Sequence, residues 1–260
     1  MSTVWDPERY LAFAGERGRP FVDLVALIDT TNPRVVVDLG CGPGNLTALL
    51  ADRWPGAAIT GVDSSADMVR ATSGTKAAER IAFRQADLRD WLREAGPGSV
   101  DVLVSNATLQ WLPEHLDLLP ALVAAVAPGG RLAFQVPGNH RAPSHTILAD
   151  LAAQPPYAEH AAGAARVSSY DAATYLRALQ ALGCTVDAWE TTYLHVLHGA
   201  DPVFTWVSGT GARPTLQALP GDLRPRFEEE YKARLRAAYP DERHGVVLPF
   251  RRIFVVAEVA

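Results

Sequence analysis

The chain has 260 residues, 48% of them hydrophobic, which is enough for one well-buried α/β domain and too short for two comfortable enzymatic domains. A formal net charge of -5 with no basic run argues against a nucleic-acid surface, and the most apolar stretch, Leu116 to Val126, contains Pro120 and is too short to span a bilayer. The two cysteines, Cys41 and Cys184, offer neither a disulfide framework nor metal-ligand spacing, so a reduced cytoplasmic setting and no metal are expected.

Trp5-Asp6-Pro7 supplies a cap and a first-turn proline for a helix that continues through Arg17 and Arg19, and a second, amphipathic helix runs from Phe21 to Ile28. Trp5, Tyr10 and Phe13 lie at helical spacing, which fits plain packing as well as a lid. Arg34 to Leu39 is a β-branched run expected to form a buried parallel strand, and it turns abruptly through Gly40-Cys41-Gly42-Pro43-Gly44. A helix from Asn45 to Ala51 follows, ended by Trp54-Pro55-Gly56, and a second strand from Ala57 to Val62 closes on Asp63.

Strand, glycine turn, helix, strand and terminal acid make a nucleotide-binding βαβ half, in which glycines let backbone amides approach a ligand and the acid takes ribose hydroxyls. The dinucleotide fingerprint G-x-G-x-x-G would need a glycine at position 45, where this chain has Asn45; its third glycine comes early, at Gly44. Asp38, just before the turn, would repel a pyrophosphate but could welcome a cationic amino-acid end.

Ser64 to Val69 opens another helix, Ile81 to Gln85 is the third strand, and Asp87-Leu88 follows it. Val100 to Ser105 is the fourth strand, and Asn106-Ala107-Thr108-Leu109-Gln110-Trp111 emerges from its carboxyl end, where open α/β sheets bind ligands. A helix from Leu116 to Val126, the Pro128-Gly129-Gly130 turn and a strand from Arg131 to Val136 come next. Residues 137–183 are rich in alanine, proline and histidine, with helix-compatible stretches at Ser144 to Ala153 and Asp171 to Leu182, and are expected to form an insertion capping the site. A strand from Thr185 to Tyr193, a helical Pro202 to Val207, a long helix from Leu223 to Tyr239 and a last strand from Pro249 to Val259 complete the chain, which has no internal repeat.

Taken as a set, Asp38-Leu39-Gly40-Cys41-Gly42-Pro43-Gly44, Asp63, Gln85-Ala86-Asp87-Leu88 and Pro128-Gly129-Gly130 resemble the seven-strand S-adenosylmethionine-dependent methyltransferases over roughly residues 34–136. The resemblance implies a Rossmann-like, doubly wound α/β sheet of seven strands, mostly parallel with one antiparallel strand, under a helical cap over the cofactor mouth. It implies one domain of residues 1–260, with a helical lid at 1–30, a cofactor core at 34–136, the cap insertion at 137–183, and strands and substrate-side helices at 184–260. S-adenosyl-L-methionine is the implied cofactor, held by Asp38, Gly40, Cys41, Gly42, Gly44, Asp63, Ser64, Met68, Asp87, Leu88, Asn106 and Ala107. In that family the acid at the position of Asp87 accepts from the adenine amino group, and the amide of the next residue, here Leu88, reaches a ring nitrogen. Asn106-Ala107-Thr108-Leu109 departs from the N/D-P-P-Y/F motif of adenine and glutamine methyltransferases, which disfavours nitrogen methylation of that kind.

Trp5-Asp6-Pro7, Glu16-Arg17-Gly18-Arg19-Pro20, Ser105-Asn106-Ala107 with Gln110-Trp111, Gln135-Val136-Pro137-Gly138-Asn139, Trp206-Val207-Ser208-Gly209-Thr210 and Pro249-Phe250-Arg251-Arg252 further resemble the trans-aconitate methyltransferases. That resemblance implies methylation of one carboxylate of a small polycarboxylate. A carboxylate with a pKa of about 4 is already ionised at neutral pH, so desolvation and orientation are needed and a general base is not. Arginine forks do this work, and Arg17, Arg19, Arg141, Arg213, Arg251 and Arg252 are candidates, with Trp111 and Trp206 as walls, His140 beside them, and Asn106 and Trp111 as positioning groups. Arg251 and Arg252, adjacent in a strand, cannot both face one pocket.

A phenol or alcohol acceptor would instead want a base, for which His140 or His145 would suit; His195 and His198 look structural. Another small metabolite or a carrier-bound malonyl group is an alternative acceptor, and a non-catalytic S-adenosylmethionine-binding module is the alternative of a different class. A monomer or weak homodimer is expected, with no nucleic-acid or membrane partner.

Overall fold

Val35–Leu39 (β1) lies at the centre of the sheet, and its residues from Val36 onward are buried, which is why its sequence is a continuous apolar run broken only by Asp38. The computed structural model describes residues 14–165 and 167–260; Trp5, Tyr10 and Phe13 lie outside the described residues, as does the side chain of Arg17. β1 pairs in parallel with Ala58–Asp63 (β2) on one side and Val100–Asn106 (β4) on the other. Ile81–Gln85 (β3) extends the sheet beyond β2, and Val126–Pro137 (β5) beyond β4, again in parallel. Gly245–Glu258 (β8) then runs antiparallel between β5 and Thr185–Leu197 (β6), giving the order β3-β2-β1-β4-β5-β8-β6. These are the seven expected strands with one antiparallel; an eighth, the two-residue Asp241–Glu242 (β7), forms a hairpin with the start of β8. Strand order reverses between β1 and β4, so the crevice at their carboxyl ends is the place where such a sheet binds ligands.

One face of the sheet is covered by an apolar cluster that includes Leu39, Leu103, Phe134, Tyr175 and Leu179. The last two come from Ala172–Gln180 (α8), whose amino end is capped by Asp171 accepting from the Thr174 amide at 2.7 Å. The opposite face packs Val36, Val104 and Phe254 against Leu50 of Thr47–Arg53 (α2) and against Phe21, Leu24 and Ile28. Phe21 and Leu24 belong to Ala14–Ala26 (α1), which continues through Pro20 where two separate helices were expected. Phe21, Leu24, Val25 and Ile28, within the stretch expected as a lid at 1–30, are thus buried in the core.

A third cluster stands over the carboxyl ends of the strands. Leu148 and Leu151 of Pro143–Ala152 (α6) meet Trp206 of Pro202–Ser208 (α9) and Phe227, Tyr231 and Leu235 of Leu223–Ala238 (α11). Tyr231 donates to the Ser144 carbonyl at 2.6 Å and the Ser144 amide donates to the Tyr239 hydroxyl at 3.1 Å, pinning the start of α6 to α11. The cap is therefore built from two stretches of chain, before and after β6, and not from 137–183 alone, because α8 within that stretch belongs to the sheet. Each large apolar side chain in this cluster contributes about 1.5–3 kcal/mol of burial. No described helix is long and apolar enough to cross a membrane.

Candidate active site

The glycine turn after β1 is shaped by what it must avoid. Gly40 has φ +83°, and a Cβ there would sit 1.9 Å from Thr108 Oγ1, whereas Gly42, with φ +55°, has nothing within 4 Å of a built Cβ and opens outward. The Gly42 amide donates to Asp63 Oδ2 at 2.9 Å and the Ser65 amide to Oδ1 at 2.8 Å, so the carboxylate at the end of β2 is held from both sides. Burial pushes the Asp63 carboxyl upward and these two amide bonds oppose it. Ser65 also caps Ala66–Thr72 (α3), accepting from the Met68 amide at 3.4 Å and setting Met68 against the same space.

That space is a cavity of about 680 Å³ at the switch point, and Gly40, Gly42, Asp63, Ser64, Met68, Asp87, Leu88, Asn106 and Ala107 all stand in its wall. Asp87 caps Leu88–Glu94 (α4), its Oδ1 accepting from the Arg89 amide at 2.8 Å. A ribose diol at Asp63, an adenine edge at Asp87 and the Leu88 amide, and a methionine end over the open turn at Gly42 all find fitting groups, so the residues present fit S-adenosylmethionine.

Three further expected contacts are not in that wall. Asp38 is 2% exposed and accepts from Thr47 Oγ1 at 2.7 Å, with burial raising its carboxyl to about 7. Cys41 is buried, and burial pushes its thiol up. A Cβ at Gly44 would lie 2.6 Å from the Phe83 ring, so this glycine serves close packing.

A second cavity adjoins the first and shares Asn106, Ala107 and Trp111 with it. Ala107, at the junction, has φ +53°, left-handed backbone that a non-glycine residue rarely adopts away from functional sites. Its wall also contains Gln110, Asn139, His140, His145, Trp206 and Arg252. Gln110 Oε1 and Asn139 Oδ1 are buried with no hydrogen-bond partner among the described residues, and the buried His140 ring lies beside them. Buried polar atoms are seldom left so, and here they converge on one space, where a polar ligand would satisfy them.

The His140 and His145 rings meet edge to face with centroids 5.5 Å apart. Burial lowers His145 to about 4, with nearby His140 adding to the effect. Burial also lowers His140, helped by the Arg251 charge and opposed by a bond to the Pro137 backbone. Burial thus favours the neutral form of both imidazoles, and Arg252 is the only arginine or lysine in this wall among the described residues. Arg252 is 6% exposed, donates from Nη1 to Gln135 Oε1 at 3.2 Å and lies 4.4 Å over the Phe250 ring.

Arg19, Arg141, Arg213 and Arg251 are placed elsewhere. Arg251 pairs with Glu190 and donates to the Gly138 carbonyl at 3.0 Å. Arg19 is exposed, facing Asp23 at 3.8 Å and stacking over Tyr193 at 5.1 Å. Arg141 is exposed, and Arg213 is buried at the start of Arg213–Ala218 (α10) without entering the wall. His195 is buried, stacked 4.7 Å behind Trp206, and His198 is exposed beyond β6.

Gln110, Gln135 and Asn139 carried no individual role in the sequence reading. The signal for Gln135 was present, since a glutamine inside Leu132-Ala133-Phe134-Gln135-Val136 is a polar group in a run that is otherwise core.

A family described as "Methyltransferase domain" matches residues 10–188. The chain is 51% identical to a protein of Streptomyces coelicolor named trans-aconitate 2-methyltransferase, over 98% of this chain and 86% of that one. Proteins of the same name from Rhodococcus jostii and Mycobacterium tuberculosis are 47% and 46% identical, each covering 98% of this chain and respectively 100% and 97% of their own. Among solved structures, a SAM dependent methyltransferase from Archaeoglobus fulgidus superposes with a TM-score of 0.54 at 16% identity, covering 95% of this chain and 96% of that one. Geranyl diphosphate C-methyltransferase from Streptomyces coelicolor, in complex with Mg2+, geranyl diphosphate and S-adenosyl-L-homocysteine, gives 0.53 at 15% identity, covering 93% and 77%. At such identities these two share the fold with this chain.

Proposed function

Because this chain belongs to the trans-aconitate 2-methyltransferase family, within the S-adenosylmethionine-dependent methyltransferases, we infer that its two joined cavities divide one reaction between them. The reaction is methylation of a carboxylate of trans-aconitate to the monomethyl ester, with S-adenosylhomocysteine as the second product. S-adenosylmethionine, when bound, supplies a methyl group on a positively charged sulfur.

The residues then have separate tasks. Asp63, fixed by the Gly42 and Ser65 amides, accepts from the ribose hydroxyls, while Asp87 and the Leu88 amide hold the adenine edge. Arg252 grips a carboxylate of the acceptor in the second cavity, and Gln110, Asn139 and His140 meet its remaining polar atoms. Trp111 and Trp206 exclude water from the nucleophile. A carboxylate oxygen attacks the methyl carbon as the carbon–sulfur bond breaks, with its electron pair left on sulfur. No proton moves, because the acceptor is ionised at neutral pH with a pKa of about 4. The chain's contribution is alignment and desolvation.

The observation that carries this reading is Arg252, a buried cation in a cavity whose wall holds no other charged side chain among the described residues and which borders the cofactor cavity at Asn106, Ala107 and Trp111. We place the enzyme in the cytoplasm, acting on the free acid, as a monomer or weak homodimer, and light scattering of the purified protein would check the oligomeric state. The chemical test is S-adenosylhomocysteine release with trans-aconitate, cis-aconitate, isocitrate, citrate, itaconate and a phenol. Selective turnover of trans-aconitate supports the reading, and turnover of the phenol alone overturns it.

A further inference from the structure

Asn106 stands where the two cavities meet, and its orientation is imposed from within the sheet. Gln135 of β5 is its register partner across the β4–β5 pair and is fully buried. Gln135 Nε2 donates to Asn106 Oδ1 at 2.9 Å, and Gln135 Oε1 accepts from Arg252 Nη1 at 3.2 Å. A guanidinium can only donate. The Gln135 amide therefore sits one way round, oxygen toward Arg252 and nitrogen toward Asn106, and Asn106 must accept with its oxygen. With Oδ1 turned toward Gln135, Asn106 offers its Nδ2 hydrogens toward a ligand.

We propose that Gln135 is a positioning residue that makes the acceptor site selective for an anionic oxygen, by holding Arg252 and Asn106 so that both offer donors to the acceptor. The proposal rests on the carboxyl-methylation reading above. A carboxylate, which only accepts and carries a negative charge, meets hydrogen-bond donors at both points, whereas a protonated amine brings its own hydrogens against theirs and a hydroxyl carries a hydrogen of its own and no charge to meet the guanidinium. The selectivity requires position 135 to be both neutral and two-ended. A glutamate there would pair with Arg252 and, having no hydrogen to give, would turn Asn106 over, so that Oδ1 faced the acceptor.

The test compares wild type, Q135E and Q135M as full-length proteins. It records KM and kcat for trans-aconitate, Kd for S-adenosylmethionine by calorimetry, and thermal melting. The expected result is a KM for trans-aconitate raised about tenfold to hundredfold in Q135E and about tenfold in Q135M, with the S-adenosylmethionine Kd within about threefold of wild type in both. Methionine matches glutamine in size without its polar ends, so Q135M carries the test if Q135E does not fold. A KM within about threefold of wild type in the folded variants, with losses confined to kcat or melting, would overturn the proposal while leaving the carboxyl reading intact. A wild type that turns over no polycarboxylate would overturn both.

Discussion

Arg251 and Arg252 are consecutive in β8, yet Arg251 forms a partly exposed ion pair with Glu190 while Arg252 is buried, lines the second cavity and donates to Gln135. The alternation of a strand separates two like charges into different tasks. R252Q is expected to raise the KM for trans-aconitate about a hundredfold, as loss of a buried charge-assisted contact does. R251Q should leave that KM within about threefold and lower stability by no more than about 1 kcal/mol, since its pair is open to water. Steady-state kinetics and melts of the two variants check this, and equal effects on KM would contradict it.

Asp63 separates cofactor binding from acceptor binding. In D63N one end of the amide would confront a backbone N–H, from Gly42 or Ser65, with hydrogens of its own. The Kd for S-adenosylmethionine is expected to rise about tenfold to hundredfold, with the acceptor KM little changed at saturating cofactor. Calorimetry showing unaltered affinity would remove Asp63 from the ribose site.

Asp38 ties stability to pH. Its folded carboxyl titrates at about 7, against an ordinary value of 3.8, because it is buried. Between those values the folded protein keeps a proton that the unfolded chain has released, so this group's contribution to stability falls as pH rises from about 4 to about 7 and is level above. The loss amounts to at most about 4 kcal/mol. In D38N the Thr47 bond can persist to the amide oxygen while the titration disappears. Melts of the two proteins without cofactor should diverge as pH rises from 5 to 8, with D38N the more stable at pH 8; parallel curves would contradict the buried proton.

Gly44 tests whether a motif glycine serves packing or the ligand. With φ +77° and the Phe83 ring 2.6 Å from a built Cβ, alanine there faces both backbone strain and overlap. G44A is expected to cost about 2–4 kcal/mol in denaturant unfolding. Cofactor affinity measured on the folded fraction should change little, because Gly44 is not in the cavity wall.

Much of the fold was legible because parallel strands buried on both faces are written as continuous apolar runs, and because the turn at Gly40 tolerates no side chain beside Thr108. Asp63, Asp87 and Asn106 line the cavity for a related reason: each stands at or just beyond the carboxyl end of a strand, a position that the strand pattern defines. Asp38, Cys41 and Gly44 belong to the same motif but do not line that cavity, and a one-dimensional motif does not tell a wall residue from one packed beside it. The choice among the arginines was hidden for a different reason. Alternation allowed only one of Arg251 and Arg252 to face the site, but which one depends on where α9 and α11 fold back over β8, and those contacts are distant in sequence. The division of the cap was hidden too, since α8 and α6 look alike in sequence and differ only in what they bury.

The neutral histidine pair bears most directly on how the acceptor is activated. With His145 lowered to about 4, its ring does not change charge between pH 6 and 8, and burial moves His140 in the same direction. The most direct measurement is kcat/KM for trans-aconitate from pH 6 to 8, at saturating S-adenosylmethionine, in wild type, H140Q and H145Q. A carboxylate held by Arg252 and needing no base predicts a flat profile in all three proteins. A rate that rises through a pKa near 7 in wild type and loses that rise in H140Q or H145Q would show a histidine removing a proton, and would contradict methylation of a ready-made carboxylate.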